Sequence, residues 1–564
     1  MTAPLSIIHG IPLDQEPGLG ALTLPGYLRE VTQRYAPREA LVFHHPDGRV
    51  ERWSYAELHA RSMAVARALV ACGLGKEERV GVMMTNRPEW ISSAFGASLA
   101  GGVVTGLSTF STPNELEYLI KASGISVLLF EGQVLKKDFA SILREIEPGI
   151  ATAKPGAFAS TKFPFLRRLA VVGEGAGGAI ERFDDFLKHG ETVAPALVDA
   201  RADAVQPADP GVLLFSSGST GKPKGVLSAH RGVCIMCWRW RRVNACGDAE
   251  NEVRAWSANG FFWSGNFAGS LGATLSSGGS NVLQSTFDPA EALRLMETEK
   301  VTRAYAWPHQ YQALAAAPNW NDVNLSHLHY VDPNTALGKH PTIRTDWHDA
   351  NAAYGNTETF TLSTCFPSDV PMARVGNSHG EALPGNTIRI VDPLTGAVVP
   401  RGERGEICVK GPTLMLGYLG VPLAETLDAE GFFRTNDGGW IDDQDRLHWE
   451  GRLNDIIKTG GANVSPLEVD GVIAEHPDVR VVRSVGIPHE TLGELIVACI
   501  VPREGTQPTE AAIRDYAREK LASYKVPRRV VFVREDELAL TGSAKIKLSD
   551  LRELAQKRVA AGGG

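Results

Sequence analysis

One short segment of this chain combines the residue types that bind phosphate. Leu213–Val226 reads LLFSSGSTGKPKGV, so an apolar run that predicts a buried strand leads into hydroxyls, glycines and lysines. Glycines let backbone N–H groups approach phosphate oxygens, hydroxyls donate further hydrogen bonds, and lysine supplies charge. It is not a Walker A loop, because Pro223 stands where the closing Ser or Thr would be. The alternative, a solvated Ser/Gly turn, would not explain two lysines around a proline beside a buried strand.

Five other segments accompany this loop in a fixed order. They are Tyr354–Glu358 (YGNTE), Phe433–Asp437 (FRTND), Gly451–Asp470 (GRLNDIIKTGGANVSPLEVD), Ala522–Arg528 (ASYKVPR) and Leu540–Lys547 (LTGSAKIK). With Ser216–Gly225 they resemble the motifs of the AMP-forming, adenylate-forming enzymes: acyl-CoA synthetases, adenylation domains of peptide synthetases, and luciferases. The resemblance covers about residues 27 to 552. It implies that a carboxylate attacks the α-phosphorus of ATP and that a thiol then attacks the acyl-adenylate.

The resemblance assigns most of the ATP site. The residues implied for the phosphates are Ser216, Ser217, Gly218, Ser219, Thr220, Gly221 and Lys224. In YGNTE, Tyr354 would pack on adenine, Thr357 would meet the α-phosphate and Glu358 would hold Mg²⁺, with Gly355 and Asn356 completing this part of the site. Because Mg²⁺ prefers oxygen ligands and keeps several waters, one carboxylate suffices. Asp437 would bind the ribose hydroxyls with Arg452 as its basic partner, and Asn436 replaces the family's usual Gly.

The catalytic and coenzyme A residues are implied in the tail. Lys545 corresponds to the signature lysine that bridges carboxylate and α-phosphate, and Lys547, two residues on, is the alternative. Asn454 falls at the hinge position, where Asp or Lys is more usual; rotation there would exchange the Lys545 face for the Lys458–Asn463 face. The residues implied for coenzyme A are Lys458, Gly460, Gly461, Asn463 and Lys525, with Lys520 and Arg528 as further candidates and solvated surface as the alternative.

The acyl pocket is expected around the uncharged stretch Ala255–Phe287, because a long charge-free run with aromatics suits an apolar pocket. Its candidate residues are Trp256, Phe262, Trp263, Trp307 and Asn334. Relatives commonly have Phe-His in place of Phe262-Trp263, and a Gly pair or Gly-Ala in place of Pro333-Asn334. The tryptophans could instead be core residues, and both interpretations stay open.

The elements that must position these residues are predicted to alternate. Helices are expected at Tyr55–Cys72 and Glu89–Leu99, strands at Arg79–Met84 and Val127–Phe130, and loops at Pro148–Pro164 and Gly190–Pro210. In the tail, we expect helices at Val469–Glu475 and Thr509–Leu521, and strands at Val481–Gly486, Ile496–Val501 and Val530–Val533. The predicted class is α/β: a large N-terminal domain of helix-flanked sheets over 1–452, and a small mobile α+β C-terminal domain over 453–564 with its hinge near 454.

Composition excludes several functional classes. The chain has 564 residues, of which 43% are hydrophobic and 22% charged, as in ordinary globular proteins. Its 65 acidic and 57 basic residues give a net charge of −8, which argues against nucleic acid as a partner. Seven cysteines suit a reducing compartment, and Cys234 and Cys237 are predicted to be buried thiols rather than metal ligands. The start lacks a signal-peptide pattern and no transmembrane segment is expected, so we expect a cytoplasmic protein.

These observations predict an acid–thiol ligase that makes an acyl-CoA from ATP, coenzyme A and a hydrophobic carboxylic acid, of the medium-chain fatty or arylalkanoic kind. One alternative is an enzyme that loads a carrier protein. No carrier module follows residue 564, so we expect the chain to act alone. Another alternative is an inactive nucleotide-binding relative, against which Lys545, Glu358 and Asp437 argue together. The acid and the oligomeric state, monomer or homodimer, are left open.

Overall fold

The computed structural model describes residues 4–216, 223–245, 253–348, 353–453, 455, 457–459, 462–490, 492–521, 525–538 and 546–562. By internal contacts, the chain forms two compact units. The larger comprises His9–Thr387 and Val409–Phe433, and the smaller comprises Met1–Ile8, Ile388–Cys408 and Arg434–Gly564. The predicted α/β class is confirmed. The boundary at 452/453 stays a prediction, because the smaller unit also includes segments that precede it.

An eight-stranded sheet dominates the larger unit. Its strands, in spatial order, are Ile180–Arg182, Arg168–Val172, Val127–Glu131, Arg79–Met83, Val103–Gly106, Pro210–Ser216, Lys224–Ala229 and Gly417–Tyr418. The first six run parallel and the last two pair antiparallel. Parallel strands end at the same edge, so Pro210–Ser216 delivers the phosphate segment to the edge where the βα loops cluster.

Among its described residues, the larger unit has three further sheets. A five-stranded sheet has the order Arg303–Tyr305, Arg254–Ser257, Ser280–Leu283, Glu39–His44 and Val50–Ser54. A three-stranded sheet contains Ala353–Tyr354, Thr364–Cys365 and Glu381–Ala382, and a small hairpin pairs Gln133–Val134 with Lys137–Asp138. The α-helices are Leu24–Arg34, Tyr55–Ala71, Pro88–Leu99, Pro113–Ser123, Phe139–Ile146, Gly149–Thr152, Phe183–His189, Pro195–Asp203, His230–Val243, Ser264–Asn266, Ala273–Ser276, Pro289–Thr298, Pro308–Ala315, Met372–Val375 and Leu423–Thr426. A π-helical turn, Phe267–Gly272, joins two of them.

Local sequence signals explain where several of these helices begin. Ser54 and Glu57 form a capping box before Tyr55–Ala71, and Thr112 and Glu115 form another before Pro113–Ser123. Each box satisfies backbone N–H groups that the first helical turn leaves without partners. The observed bounds of the helices and strands in the first 130 residues agree with the predicted ones to within a residue or two.

The prediction of a loop throughout Gly190–Pro210 is wrong, because Pro195–Asp203 is a helix. Proline at its first turn is compatible with a helix start, and Val198 and Ala202, four residues apart, bury one face. Arg29 of another helix pairs with Asp199 at 2.9 Å and also with Asp203. A short amphipathic face and a tertiary ion pair thus stabilise a helix where the small-residue composition predicts a loop.

The described residues of the smaller unit form two sheets. One has the order Ile7–His9, Thr387–Val391, Gly405–Lys410, Phe433–Ile441 and Leu447–Arg452. The other has the order Ala462–Val464, Ile457–Thr459, Gly493–Pro502 and Val479–His489, with Arg529–Phe532 parallel to Gly493–Pro502. The α-helices of the smaller unit are Pro466–Ala474, Glu510–Lys520 and Leu548–Ala560. The α+β pattern predicted for the tail is confirmed.

Two further findings bear on expectations from composition. Cys234 and Cys237 are buried in the helix His230–Val243, and burial raises the pKa of both thiols, as expected for inert core cysteines. Within the described ranges, no helix combines the length and apolar character needed to cross a membrane.

Candidate functional site

Two paired strands contain the residues that flank the undescribed part of the phosphate segment. Ser216 ends one strand and pairs in register with Lys224, which begins the next. The hydroxyl of Tyr118 donates to the carbonyl oxygen of Pro223 at 3.0 Å and fixes the segment's exit. Ser217, Gly218, Ser219, Thr220 and Gly221, which the sequence assigns to phosphate, lie outside the described residues.

The carboxylate of Glu358 lies beside this strand pair. Its Oε1 accepts hydrogen bonds from the hydroxyls of Tyr418 at 2.8 Å and Ser216 at 3.3 Å. The ammonium of Lys224 lies 5.0 Å from the centre of the Tyr418 ring. The structure therefore brings together three predicted residues, Ser216, Lys224 and Glu358. Tyr418, which the sequence analysis did not identify, contacts both Glu358 and Lys224. The only sequence signal for Tyr418 is an aromatic between glycines, in LGYLG.

The YGNTE segment folds as a tight turn that presents Glu358. The side chain of Asn356 accepts from the N–H of Thr359 at 3.0 Å and caps the one-turn 3₁₀-helix Thr357–Thr359. Gly355 is required here, because a Cβ would lie 1.7 Å from the carbonyl oxygen of Thr361. Tyr354 is only 5% exposed, whereas Thr357 and Glu358 are partly exposed. The turn thus offers a hydroxyl and a carboxylate to a ligand.

The chemistry of the Glu358 donors fits a hard cation. The hydroxyl of Ser216 lies beside the Glu358 carboxylate, and this partly exposed carboxylate leaves room for the waters that Mg²⁺ retains. Across the described parts of the chain, no cluster of three or more His, Cys, Asp or Glu side chains is placed to hold a metal. The site suits an ion that shares its ligands with a phosphate rather than one enclosed by protein.

In the smaller unit, Asp437 and Arg452 pair across adjacent strands. The guanidinium Nε of Arg452 lies 3.0 Å from Oδ1 of Asp437, and the two residues are partners in register. Asp437 is 4% exposed, so the arginine offsets the cost of burying its charge. Asn436 has a φ of 58°, the left-handed conformation that glycine adopts freely and that asparagine tolerates better than other residues. The departure from the family's Gly is therefore sterically accommodated.

The residues implied for coenzyme A are only partly described. Lys525 is engaged, since its ammonium lies 2.5 Å from a carboxylate oxygen of Glu468, and its side chain is 13% exposed. Lys458 is exposed, and its backbone N–H donates to Glu494 at 2.7 Å. Asn454, Gly460, Gly461, Lys545 and the side chain of Asn463 lie outside the described residues.

Four rings form a cluster around the predicted acyl segment. Trp263 has its ring centroid 4.5 Å from that of Phe262 and 4.8 Å from that of Trp307, and Phe110 stacks on it at 6.1 Å with 20° between the planes. Phe110 was not predicted. A buried polar network holds the segment: the amide of Asn86 donates to the carbonyl of Asn259 at 2.7 Å and accepts from the N–H of Phe261 at 3.2 Å.

The structure corrects one predicted pocket residue. Trp256 is fully buried in a central strand, packs against Phe287, and donates its indole N–H to Gln284 at 3.2 Å. It is a core residue, because its position in the strand directs it toward the buried layer. Asn334 is exposed and lines an open cleft of about 800 Å³, together with Ala306, Pro308, Asp332 and Phe366. Trp263 and Trp307 are partly exposed.

Comparison with known proteins agrees with this arrangement. The family model described as AMP-binding enzyme matches residues 28–419, and that of the AMP-binding enzyme C-terminal domain matches residues 468–545. A ligase of Mycobacterium tuberculosis, named 3-[(3aS,4S,7aS)-7a-methyl-1,5-dioxo-octahydro-1H-inden-4-yl]propanoyl:CoA ligase, is 31% identical over 94% of this chain and 99% of its own length. The human mitochondrial medium-chain acyl-CoA ligase ACSF2 is 27% identical over 96% of this chain and 89% of its own length.

A solved structure shares the fold over nearly the whole chain. The crystal structure of the anthranilate CoA ligase AuaEII in complex with anthranoyl-AMP aligns with a TM-score of 0.77 at 24% identity, covering 98% of this chain and 100% of that one. The two family models span most of the sequence in the expected order. The chain therefore belongs to the AMP-binding enzyme family, among its AMP-forming acyl-CoA synthetases.

Proposed function

We propose that this chain is an ATP-dependent acyl-CoA ligase for hydrophobic carboxylic acids, of the medium-chain fatty or arylalkanoic kind. The observation that carries the proposal is the Glu358 carboxylate, held by Tyr418 and Ser216 beside the strands of the phosphate segment, with Lys224 next to it. A site that binds a nucleoside triphosphate needs a positive charge, hydroxyl groups and a carboxylate that can hold Mg²⁺.

In the first step, a carboxylate oxygen of the acid attacks the α-phosphorus of ATP, and pyrophosphate leaves. Lys224 and the hydroxyl of Ser216 would stabilise the charge of the phosphates, and Thr357 would meet the α-phosphate. Mg²⁺, held by Glu358, would neutralise part of the phosphate charge. Asp437 would accept hydrogen bonds from the ribose hydroxyls, and Lys545 would draw the carboxylate and the α-phosphate together.

In the second step, the thiol of coenzyme A attacks the acyl carbonyl, and AMP leaves with the electron pair of the cleaved carbon–oxygen bond. Lys458 and the neighbouring glycines, 460 and 461, would face the pantetheine arm after rotation near residue 454. Lys525 would have to exchange its contact with Glu468 for a coenzyme phosphate. Lys525 remains a candidate because the side chain of Glu468 is 40% exposed, and breaking an ion pair with such a partner costs little free energy.

The aromatic cluster supports a hydrophobic acid. Phe262, Trp263 and Trp307 offer apolar ring faces and edges. The names of the two relatives point the same way, one to medium-chain acids and the other to a fused-ring propanoic acid. We therefore place the preferred acid among those with an extended apolar or ring-bearing tail.

An acid panel tests the proposal directly. The full chain is incubated with ATP, Mg²⁺ and single acids from butanoate to dodecanoate, and with benzoate and phenylalkanoates, each with and without coenzyme A. We expect AMP, pyrophosphate and acyl-CoA in stoichiometric amounts, with the highest kcat/KM for an apolar acid of intermediate length. Acyl-adenylate that is never transferred to coenzyme A, or ATP binding with no turnover for any acid, would contradict it.

A further inference from the structure

A loop beside the aromatic cluster is held by an unusual clamp. The ammonium of Lys137 donates to three successive backbone carbonyls, those of Thr109 at 3.2 Å, Phe110 at 2.7 Å and Ser111 at 2.9 Å. An ammonium has three donors, so this one geometry uses all of them. Loops are normally among the more mobile parts of a protein, and three charge-assisted bonds to consecutive carbonyls immobilise this one.

Both ends of the clamp are rigid. Lys137 lies in the hairpin that pairs Gln133–Val134 with Lys137–Asp138, and Asp138 caps the next helix by accepting from the N–H of Ser141 at 3.0 Å. The clamped loop runs from the strand Val103–Gly106 to Thr112, which caps the helix Pro113–Ser123. The fold therefore fixes the position of the side chain that this loop carries.

That side chain is Phe110, which is 55% exposed although it is a large apolar residue. Its ring lies 6.1 Å from Trp263 and 6.1 Å from Phe262, which is 6% exposed. Trp263 and Trp307, between these extremes, are partly exposed. The rings thus form a continuous apolar surface that runs from the buried Phe262 outward to Phe110.

We propose that Phe110, positioned by Lys137, is the outer part of the acyl-binding surface and selects for acids whose apolar tail extends beyond Trp263. This inference rests on the proposed function. A short acid would end against Phe262 and Trp263, whereas a longer or ring-bearing acid would cover Phe110 and remove its exposed face from water. Phe110 would touch the substrate directly, and Lys137 would act through the loop as a positioning residue.

The test measures kcat/KM for decanoate and for butanoate, and their ratio, in the full chain and in two variants. In F110A the ratio of decanoate to butanoate should fall about fifteenfold, because roughly two methylenes' worth of buried contact is lost. In K137M, which keeps the side-chain length but removes the donors, the ratio should fall in the same direction. The KM for ATP should stay unchanged in both.

Two control variants match these changes. F165A removes another exposed Phe, 64% exposed, from a different part of the larger unit. K136M removes the charge of the exposed neighbour of Lys137. Neither should alter the ratio. Because Phe110 is exposed, F110A should fold. If K137M lowers the melting temperature, the ratio measured in F110A alone decides whether Phe110 selects for longer acids.

The outcomes separate this inference from the proposed function. If the unmodified chain is active but F110A keeps the ratio, the inference is wrong and the ligase remains. If F110A and K137M slow every acid equally, or raise the KM for ATP, the loop has only a structural role. If the unmodified chain forms no acyl-CoA from any acid, the proposed function fails, and this inference fails with it.

Discussion

At the scale of single residues, the position of the Glu358 carboxylate depends on Tyr418. The phenol donates to Oε1 of Glu358 at 2.8 Å, and the same ring lies beneath the Lys224 ammonium at 5.0 Å. One side chain therefore positions both the anion that would hold the metal and the cation that would face phosphate. Such a residue acts through others, and its removal should alter the response to magnesium more than the binding of the acid.

We predict that Y418F raises the KM for Mg²⁺ and lowers kcat/KM for ATP by roughly tenfold, because a hydrogen bond to a charged group is worth about 1.5–3 kcal/mol. Phenylalanine keeps the ring beneath Lys224, so only the donor is lost. Steady-state rates at varied Mg²⁺ measure the effect. Y516F, which removes a hydroxyl that meets Lys520 in the smaller unit, is the control. An unchanged magnesium response in Y418F would show that Tyr418 does not position Glu358.

Asp437 gives a second prediction at this scale. D437A should weaken ATP binding at least tenfold in calorimetric titration, because the ribose hydroxyls would lose charge-assisted hydrogen bonds. Arg452 is half exposed and would be solvated once unpaired, so the fold should persist. D443A, at an exposed residue after the same strand, should bind ATP normally. Equal affinities for the two variants would remove Asp437 from the nucleotide site.

At the scale of elements, Asp470 joins the helix Pro466–Ala474 to the strand Val479–His489. Its Oδ1 accepts from the backbone N–H of Ser484 at 2.6 Å, and Arg483 lies 3.5 Å from Oδ2. Burial raises the pKa of Asp470 from 3.8 to about 7, despite these partners. Because the folded carboxyl holds its proton to higher pH than the unfolded one, its contribution to stability is full below about pH 4 and is lost as pH rises toward 7.

We therefore predict that the protection of Val479–His489 amides against hydrogen exchange, corrected for intrinsic rates, falls between pH 5 and pH 8 in the unmodified chain. In D470N, whose side chain stays neutral and still accepts from Ser484, most of this loss should disappear. The local free energy of opening at pH 8 should rise by about 4 kcal/mol, since the pKa of Asp470 is raised by about three units and each unit corresponds to about 1.4 kcal/mol. The same pH dependence in both proteins would mean that Asp470 does not titrate there.

The elements also show what the sequence could and could not predict. Apolar runs and capping residues predicted the strands around Arg79–Met83 and the helix Tyr55–Ala71, because these signals are local. The helix Pro195–Asp203 was missed because its partner, Arg29, is distant in sequence. For the same reason the sequence does not reveal Tyr418, which is 60 residues from Glu358. The pairing of Lys224–Ala229 with Gly417–Tyr418 helps to bring the two together.

For the whole molecule, we propose that different residues serve the two half-reactions. Lys545 is assigned to the first and Lys458 with glycines 460 and 461 to the second. K545A should therefore reduce acyl-adenylate formation from free acid by at least about a hundredfold, since one well-placed electrostatic group contributes on that order. Thioester formation from a synthetic acyl-adenylate should remain within a few fold of the unmodified rate.

The two half-reactions are measured separately by rapid quench, and K547A serves as the matched control, because Lys547 is the neighbouring alternative. A large loss in K547A with normal adenylation in K545A would reverse the assignment of the two lysines. Equal losses in both half-reactions for K545A would contradict a division of labour between them.

Activation of the acid by attack on the α-phosphorus of ATP can be followed by the transfer of an oxygen isotope. The full chain is given an acid labelled with oxygen-18 in its carboxylate, together with ATP, Mg²⁺ and coenzyme A, and the nucleotide and phosphate products are analysed by mass spectrometry. Because the bond that breaks in the second step joins the acyl carbon to oxygen, one labelled oxygen should appear in AMP and none in pyrophosphate. Unlabelled AMP, or ADP with label in orthophosphate, would mean that the acid is not activated as an acyl-adenylate.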